Sequence, residues 1–95
     1  MKIVWNEEKN KVNLKSHKIS FEEASELFAS QIDYLQVYDE QHSTYEDRFI
    51  SIGPISRGII LVVTAEPEDN LLRIISARFA TKNEKRLFEQ YIMEL

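Results

Sequence analysis

The feature that most constrains this chain is a run of three β-rich segments separated only by short turn signals. Arg48 to Ile52 alternates and ends at Gly53-Pro54, a strong turn signal. Ile59 to Thr64 is β-branched and apolar throughout, which predicts a central strand. Glu66-Pro67-Glu68-Asp69-Asn70 reads as the next turn, and Leu71 to Arg78 as the partner strand. A parallel crossover needs a dozen or more residues, so strands joined this closely pair antiparallel and form a meander.

Helical signals flank the meander. Lys2 to Trp5 is a short strand candidate, and Asn6 can cap a helix that runs to about His17, with Glu7 and Glu8 near its positive end. Val12 and Leu14 are that helix's main apolar residues, so it is expected to lie on the domain rather than pass through it. Ser20-Phe21-Glu22-Glu23 has the form of a capping box and opens a second helix, which places Phe21, Ala24, Leu27 and Phe28 on one face and ends near Ser30. Tyr34 to Tyr38 is a further strand candidate, followed by a polar loop from Asp39 to Ser43. Thr81-Lys82-Asn83-Glu84 is a second capping box. It starts a helix whose stripe of Leu87, Phe88, Tyr91, Ile92 and Leu95 is expected to cover the sheet. Segregated helices and strands predict an α+β fold: an antiparallel meander with two N-terminal helices and one C-terminal helix packed on it.

Ninety-five residues make one domain, residues 1–95, and no second. No cysteine is present, which removes disulfides and thiolate metal sites and points to a reducing, cytoplasmic compartment. The opening apolar run is too short for a signal peptide, and no run approaches the roughly 20 residues that span a bilayer. The net charge of −4 is unevenly spread. Lys2 to Lys18 holds five lysines against Glu7 and Glu8, whereas Ile19 to Asp47 holds eight acids and no lysine or arginine. The average argues against nucleic-acid binding but leaves room for a local basic face, and the acidic middle suits either solvent or a basic partner.

Several site patterns are missing: the phosphate loop G-x-x-x-x-G-K-S/T, the dinucleotide motif G-x-G-x-x-G, the zinc motif H-E-x-x-H and the nucleophile elbow G-x-S-x-G. The two histidines, His17 and His42, lack an obvious third ligand, so no metal site is expected. Three polar patches remain. They are Asn13, Lys15 and His17 at the end of the first helix, His42 to Arg48 running from loop into strand, and Arg73 to Arg78 leading to the last helix. Each has a structural reading. A lysine or histidine stabilises a helix C-terminus, and Glu46 and Arg48, two apart on a strand, can pair across to a neighbour. Arg73 and Arg78 are five apart, which in a regular strand sends them to opposite faces.

Taken together, the patches resemble the BrnT-type toxins, small ribonucleases of bacterial toxin–antitoxin pairs with a RelE-like fold. The matching stretches are Val4-Trp5, Lys9 with Asn13 and His17, Ile19-Ser20-Phe21-Glu22-Glu23-Ala24 and Phe28, His42-Ser43, and Glu46-Asp47-Arg48-Phe49. They continue through Ile52-Gly53, Leu61-Val62-Val63-Thr64, Arg73-Ile74-Ile75-Ser76-Ala77-Arg78, and Ala80-Thr81 with Glu84. The chain departs from the family at Asn6, where aspartate is usual, at Ser16, where lysine is usual, and at Lys18, where glycine is usual; it is also less basic near the last helix.

The resemblance implies RNA cleavage that inhibits translation, without metal or other cofactor. Such a reaction needs a base for the 2′-hydroxyl, an acid for the leaving 5′-oxygen, and cations for the phosphate. On this sequence those roles fall to Glu46 or His17 as base and to Arg48 and Arg78 as a phosphate clamp, with Lys15, His42 and Arg73 assisting at the RNA. The resemblance also implies a ribbon–helix–helix antitoxin as partner, which carries DNA binding for the pair. The alternative is a domain that keeps the antitoxin contact but has lost cleavage.

Overall fold

Three long strands form the frame of the computed structural model, which describes residues 1–95: β3 (Asp47–Ile55), β4 (Gly58–Glu68) and β5 (Leu71–Phe79), paired antiparallel in that order. Strand β2 (Leu35–Tyr38) joins β3 antiparallel at one edge, and β1 (Lys2–Trp5) lies at the other. β1 runs parallel to β5, so the sheet is mixed, in the order β1-β5-β4-β3-β2, and not the all-antiparallel meander expected. Parallel pairing requires a long crossover, and the whole intervening chain supplies it.

Both expected turns fall a few residues later than their proline signals. Gly53 and Pro54 belong to β3, and the first reversal is at Ser56-Arg57, closed by Gly58 at φ 142°. A Cβ on Gly53 would stand 2.6 Å from both Leu27 Cδ1 and Tyr34 Cβ, so glycine here serves close approach rather than a turn. Pro54 sits beyond the last β2–β3 pair, where one edge of β3 has no strand beside it. Likewise β4 continues through Pro67, in an irregular stretch where pairing to β5 lapses between Ala65 and Glu68, and Asp69-Asn70 makes the turn with Asn70 left-handed at φ 61°.

Helix α1 (Glu7–His17) begins as the sequence indicates, with Asn6 Oδ1 accepting the Lys9 amide at 3.0 Å. Val12 and Leu14 are exposed, so apolar burial does not seat this helix. Two buried asparagines do. Asn10 accepts the Phe21 amide at 2.7 Å and donates to Glu7 and Glu22. Asn13 donates to the carbonyls of Ile19 and Ala77 and accepts the Ala77 amide at 3.1 Å. The Asn13 amide thereby continues the β5 edge where β1 stops, at the Trp5–Ile74 pair.

The second expected helix is two single turns, α2 (Phe21–Ala24) and α3 (Glu26–Ala29), broken at Ser25, whose hydroxyl donates to the Glu22 carbonyl at 2.6 Å. Half of its capping box forms: Ser20 Oγ accepts the Glu23 amide at 3.0 Å. The Glu23 carboxylate instead accepts two bonds from Arg57 at 2.6 Å, which ties the β3–β4 turn to α2. Ile19, Phe21, Ala24 and Leu27 are fully buried against Ile60, Val62, Leu72, Ile74 and Ala77, forming the main core on one sheet face.

Helix α4 (Lys82–Met93) covers part of the opposite face, and its capping box is complete. Of the expected stripe only Phe88 is buried, against Ile52, Leu61 and Ala80, while Leu87 and Leu95 stay 53% and 68% exposed. The helix lies mainly over β2 and β3, reaches β4 at Leu61, and leaves most of the β4–β5 part of that face open. No helix is long and apolar enough to cross a membrane.

Candidate functional site

The open part of the α4 face is where the arginines gather, and a β-bulge explains how. Val63 pairs with Ser76 but Thr64 pairs with Ile74, so Ile75 is an extra residue in β5. The insertion resets alternation along the strand: Leu72, Ile74 and Ala77 all enter the main core, and Arg73 and Arg78 both turn to the α4 face. This corrects the expectation of opposite faces, which holds only for an unbroken strand. The register also aligns Arg48 of β3, Ala65 of β4 and Arg73 of β5 in one row across the sheet.

The cleft so formed encloses about 480 Å³ between the sheet, α4 and the loop before β3. Arg48, Ile50, Leu61, Val63, Ser76 and Arg78 form its floor, with Glu84, His42 and Asp39 at the sides. Arg48 and Arg78 line the cleft and Arg73 stands beside it, and the three differ in their bonding. Arg78 donates to both Glu84 oxygens, at 2.7 and 2.8 Å, and Glu84 also accepts the Thr81 amide at 2.8 Å. The Arg78 bonds, helped by the Thr81 amide and opposed by partial burial, bring the Glu84 carboxyl from its ordinary 4.5 down to about 2. The same contact raises Arg78. Arg73 is paired with Glu46, which sits at the entrance to β3. Arg48 has no acidic partner, and its buried Nε donates to nothing in the protein.

His42 lies in a single 3-10 turn, Glu40–His42, at the rim. Its Nδ1 meets both oxygens of Asp39, at 2.9 and 3.1 Å, which fixes the ring and leaves Nε2 for another partner. His42 and Arg48 also line an adjoining hollow that includes Glu46. On the other side, Ile75 and Ser76 are shared with a groove along α1 whose wall includes His17. Groove, cleft and hollow thus adjoin through shared lining residues, a trough in three parts from His17 to Glu46.

Of the residues singled out from the sequence, Glu46, Arg48, Arg73, Arg78 and His42 converge around the cleft, and His17 stands in the neighbouring groove. Lys15 does not join them. It lies nearly half a helical turn round from the groove-lining residues Lys9, Asn13 and His17, and the carbonyl of Lys15 accepts a bond from Lys18 Nζ. Sequence reasoning missed Asp39 and the pairing of Glu84. Asp39 read as loop, and Glu84 as a capping residue and part of the family match, with no partner assigned to its carboxylate. No three histidine, aspartate or glutamate side chains converge as a metal site would require. What the cleft and the adjoining hollow offer together is an unneutralised guanidinium, Arg48, beside an oriented imidazole, His42, and the Glu46 carboxylate, a set able to hold an anion and move a proton next to it.

Comparison with known proteins bears on the fold and the family. No curated protein matches the chain. The fold is similar to the 1.1 Å crystal structure of the Brucella abortus ribonuclease toxin BrnT, with a TM-score of 0.68 and 26% sequence identity, covering 86% of this chain and 99% of that one. The family model for the ribonuclease toxin BrnT of type II toxin–antitoxin systems matches residues 5–84. The chain belongs to the BrnT family of type II toxin–antitoxin ribonuclease toxins.

Proposed function

We propose that this protein is a metal-independent endoribonuclease that inhibits translation in the cytoplasm, built on a RelE-like plan in which one open sheet face holds the chemistry. The observation that carries the reading is Arg48: a guanidinium in a cleft, without an acid partner, with a buried Nε that lacks an acceptor. A phosphate supplies acceptors for such a group, and the planar fork binds it bidentately.

In this reading Arg48 holds the scissile phosphate. Glu46 takes the proton of the 2′-hydroxyl as its oxygen attacks phosphorus, and Arg73 keeps the carboxylate in place. The bond to the 5′-oxygen breaks, and His42, held by Asp39, protonates the leaving oxygen. The products are a 2′,3′-cyclic phosphate and a 5′-hydroxyl. Arg78, paired with Glu84, lines the far side of the cleft as the second clamp arginine, and His17 serves the adjoining groove rather than the reacting atoms. DNA, which lacks the 2′-hydroxyl, is not cut. A ribbon–helix–helix antitoxin covers the trough and carries DNA binding for the pair, consistent with the toxin's net charge of −4.

A second reading, an antitoxin-binding domain without cleavage, draws on the two ion pairs that occupy Glu46 and Arg78. The deciding experiment is incubation of purified, antitoxin-free protein with total RNA, with and without EDTA, beside Arg48→Ala and Glu46→Ala. The ribonuclease reading expects cleavage that survives EDTA and falls on the order of 100-fold or more in Arg48→Ala at unchanged circular dichroism. Intact RNA with folded wild type, ribosomes included, rules out the ribonuclease reading and leaves the second.

A further inference from the structure

The groove along α1 has no part in the chemistry above, and its lining is specific. Lys9, Val12, Ser16 and His17 face Ile75 and Ser76 across about 340 Å³, with Glu8 at one end. Lys9 and His17 make no side-chain bond to the protein, so both are free to meet a ligand. Val12 is 64% exposed, in a helix seated by asparagines rather than by apolar contacts. Val12 and Ile75 form two apolar walls, and the cations and hydroxyls lie round them. A flat apolar heterocycle with an attached anion matches that arrangement.

The bulge joins this groove to the cleft. Ile75 and Ser76 line both, and Ser76 precedes Arg78 by two residues on the same face, about 7 Å along the strand. Arg48 lies further off, two strands across the sheet on β3 and two residues along from Ile50, which is level with Ser76; at about 12 Å this is the scale of two steps along an extended RNA strand. We infer that the α1 groove is a nucleotide subsite: it receives, between Val12 and Ile75, the base one nucleotide beyond the pair that flanks the scissile phosphate, with that nucleotide's phosphate on Lys9 and His17. The inference rests on the ribonuclease reading and adds to it the path of the RNA, from α1 over the bulge to Arg48.

The test uses full-length, antitoxin-free protein and non-cleavable, fully 2′-O-methylated RNA oligonucleotides of graded length, from dinucleotide to hexanucleotide, with binding followed by fluorescence anisotropy. Wild type is expected to gain affinity in steps as the oligonucleotide lengthens. Lys9→Ala and Val12→Glu both change exposed side chains, and each is expected to erase one step, about tenfold, while leaving the shortest ligand's affinity unchanged. If both variants keep every step, the groove is not a subsite and the inference is overturned. It is overturned equally if the variants weaken antitoxin binding and spare RNA, which marks the groove as a protein contact. Arg48→Ala separates the two levels of the argument, because it is expected to weaken every length. If wild type binds no oligonucleotide of any length, the ribonuclease reading itself fails.

Discussion

Lys18 ends α1 in the left-handed region at φ 63°, with its amide on the Leu14 carbonyl at 2.9 Å. A side chain with a Cβ is strained there and glycine is not, which gives a physical reason for the glycine that BrnT-type sequences usually carry after the histidine. Lys18 offsets part of the strain by donating from Nζ to the Lys15 carbonyl at 3.0 Å. Lys18→Gly is expected to raise stability by about 1 kcal/mol, read as a higher urea midpoint at unchanged slope. Arg48 shows the opposite economy. Its Nε stays buried and unpaired in the free protein, a cost borne where binding is proposed to occur.

At the scale of elements, α1 is held by hydrogen bonds where most surface helices are held by an apolar stripe. Asn13 is the central anchor, bonding a single strand residue, Ala77, through both its amide and its carbonyl. Asn13→Ala leaves those two groups and the Ile19 carbonyl without partners. The expected loss is about 2–4 kcal/mol in chemical denaturation, with faster hydrogen exchange at the Ala77 amide than at its core neighbours. Element ends are equally informative at α4. Glu84 serves its capping box and Arg78 at once, so the start of the helix and the wall of the cleft are one structure.

For the whole molecule, that shared carboxylate makes stability depend on pH in a defined direction. The Glu84 pKa is about 2 in the folded chain against an ordinary 4.5, so the folded state binds its proton more weakly than the unfolded one. The stabilisation is complete above 4.5 and is lost as pH falls towards about 2. Glu23, lowered by its bonds to Arg57, acts in the same direction on the opposite face of the sheet. Glu84→Gln keeps a side chain suited to the capping box while removing the titrating charge. It is expected to lower the melting temperature at neutral pH and to flatten, without abolishing, the acid limb of stability between pH 4.5 and 2. Thermal melts of both proteins across that range check this.

The elements of this protein follow from local chemistry, so they are legible in the chain itself. Asn6 and Thr81 begin helices because their side chains satisfy amides two or three residues on, and β-branched runs make strands wherever they lie. Polar clustering likewise marked Glu46, Arg48, Arg73, Arg78 and His42, and family resemblance joined them into a site. Other features depend on contacts between residues far apart in sequence. Gly53-Pro54 and Glu66-Pro67 look like turns by composition, yet a close-packed Leu27 and a lapse in pairing place them within strands. The parallel β1, the Glu23–Arg57 bond that breaks a capping box, and the largely exposed stripe of α4 are decisions of packing. The decisive case is Ile75. One extra residue opposite β4 turns Arg73 and Arg78 to the same face, because strand alternation has a period of two and a bulge resets it; only the pairing of the two strands determines where that reset falls.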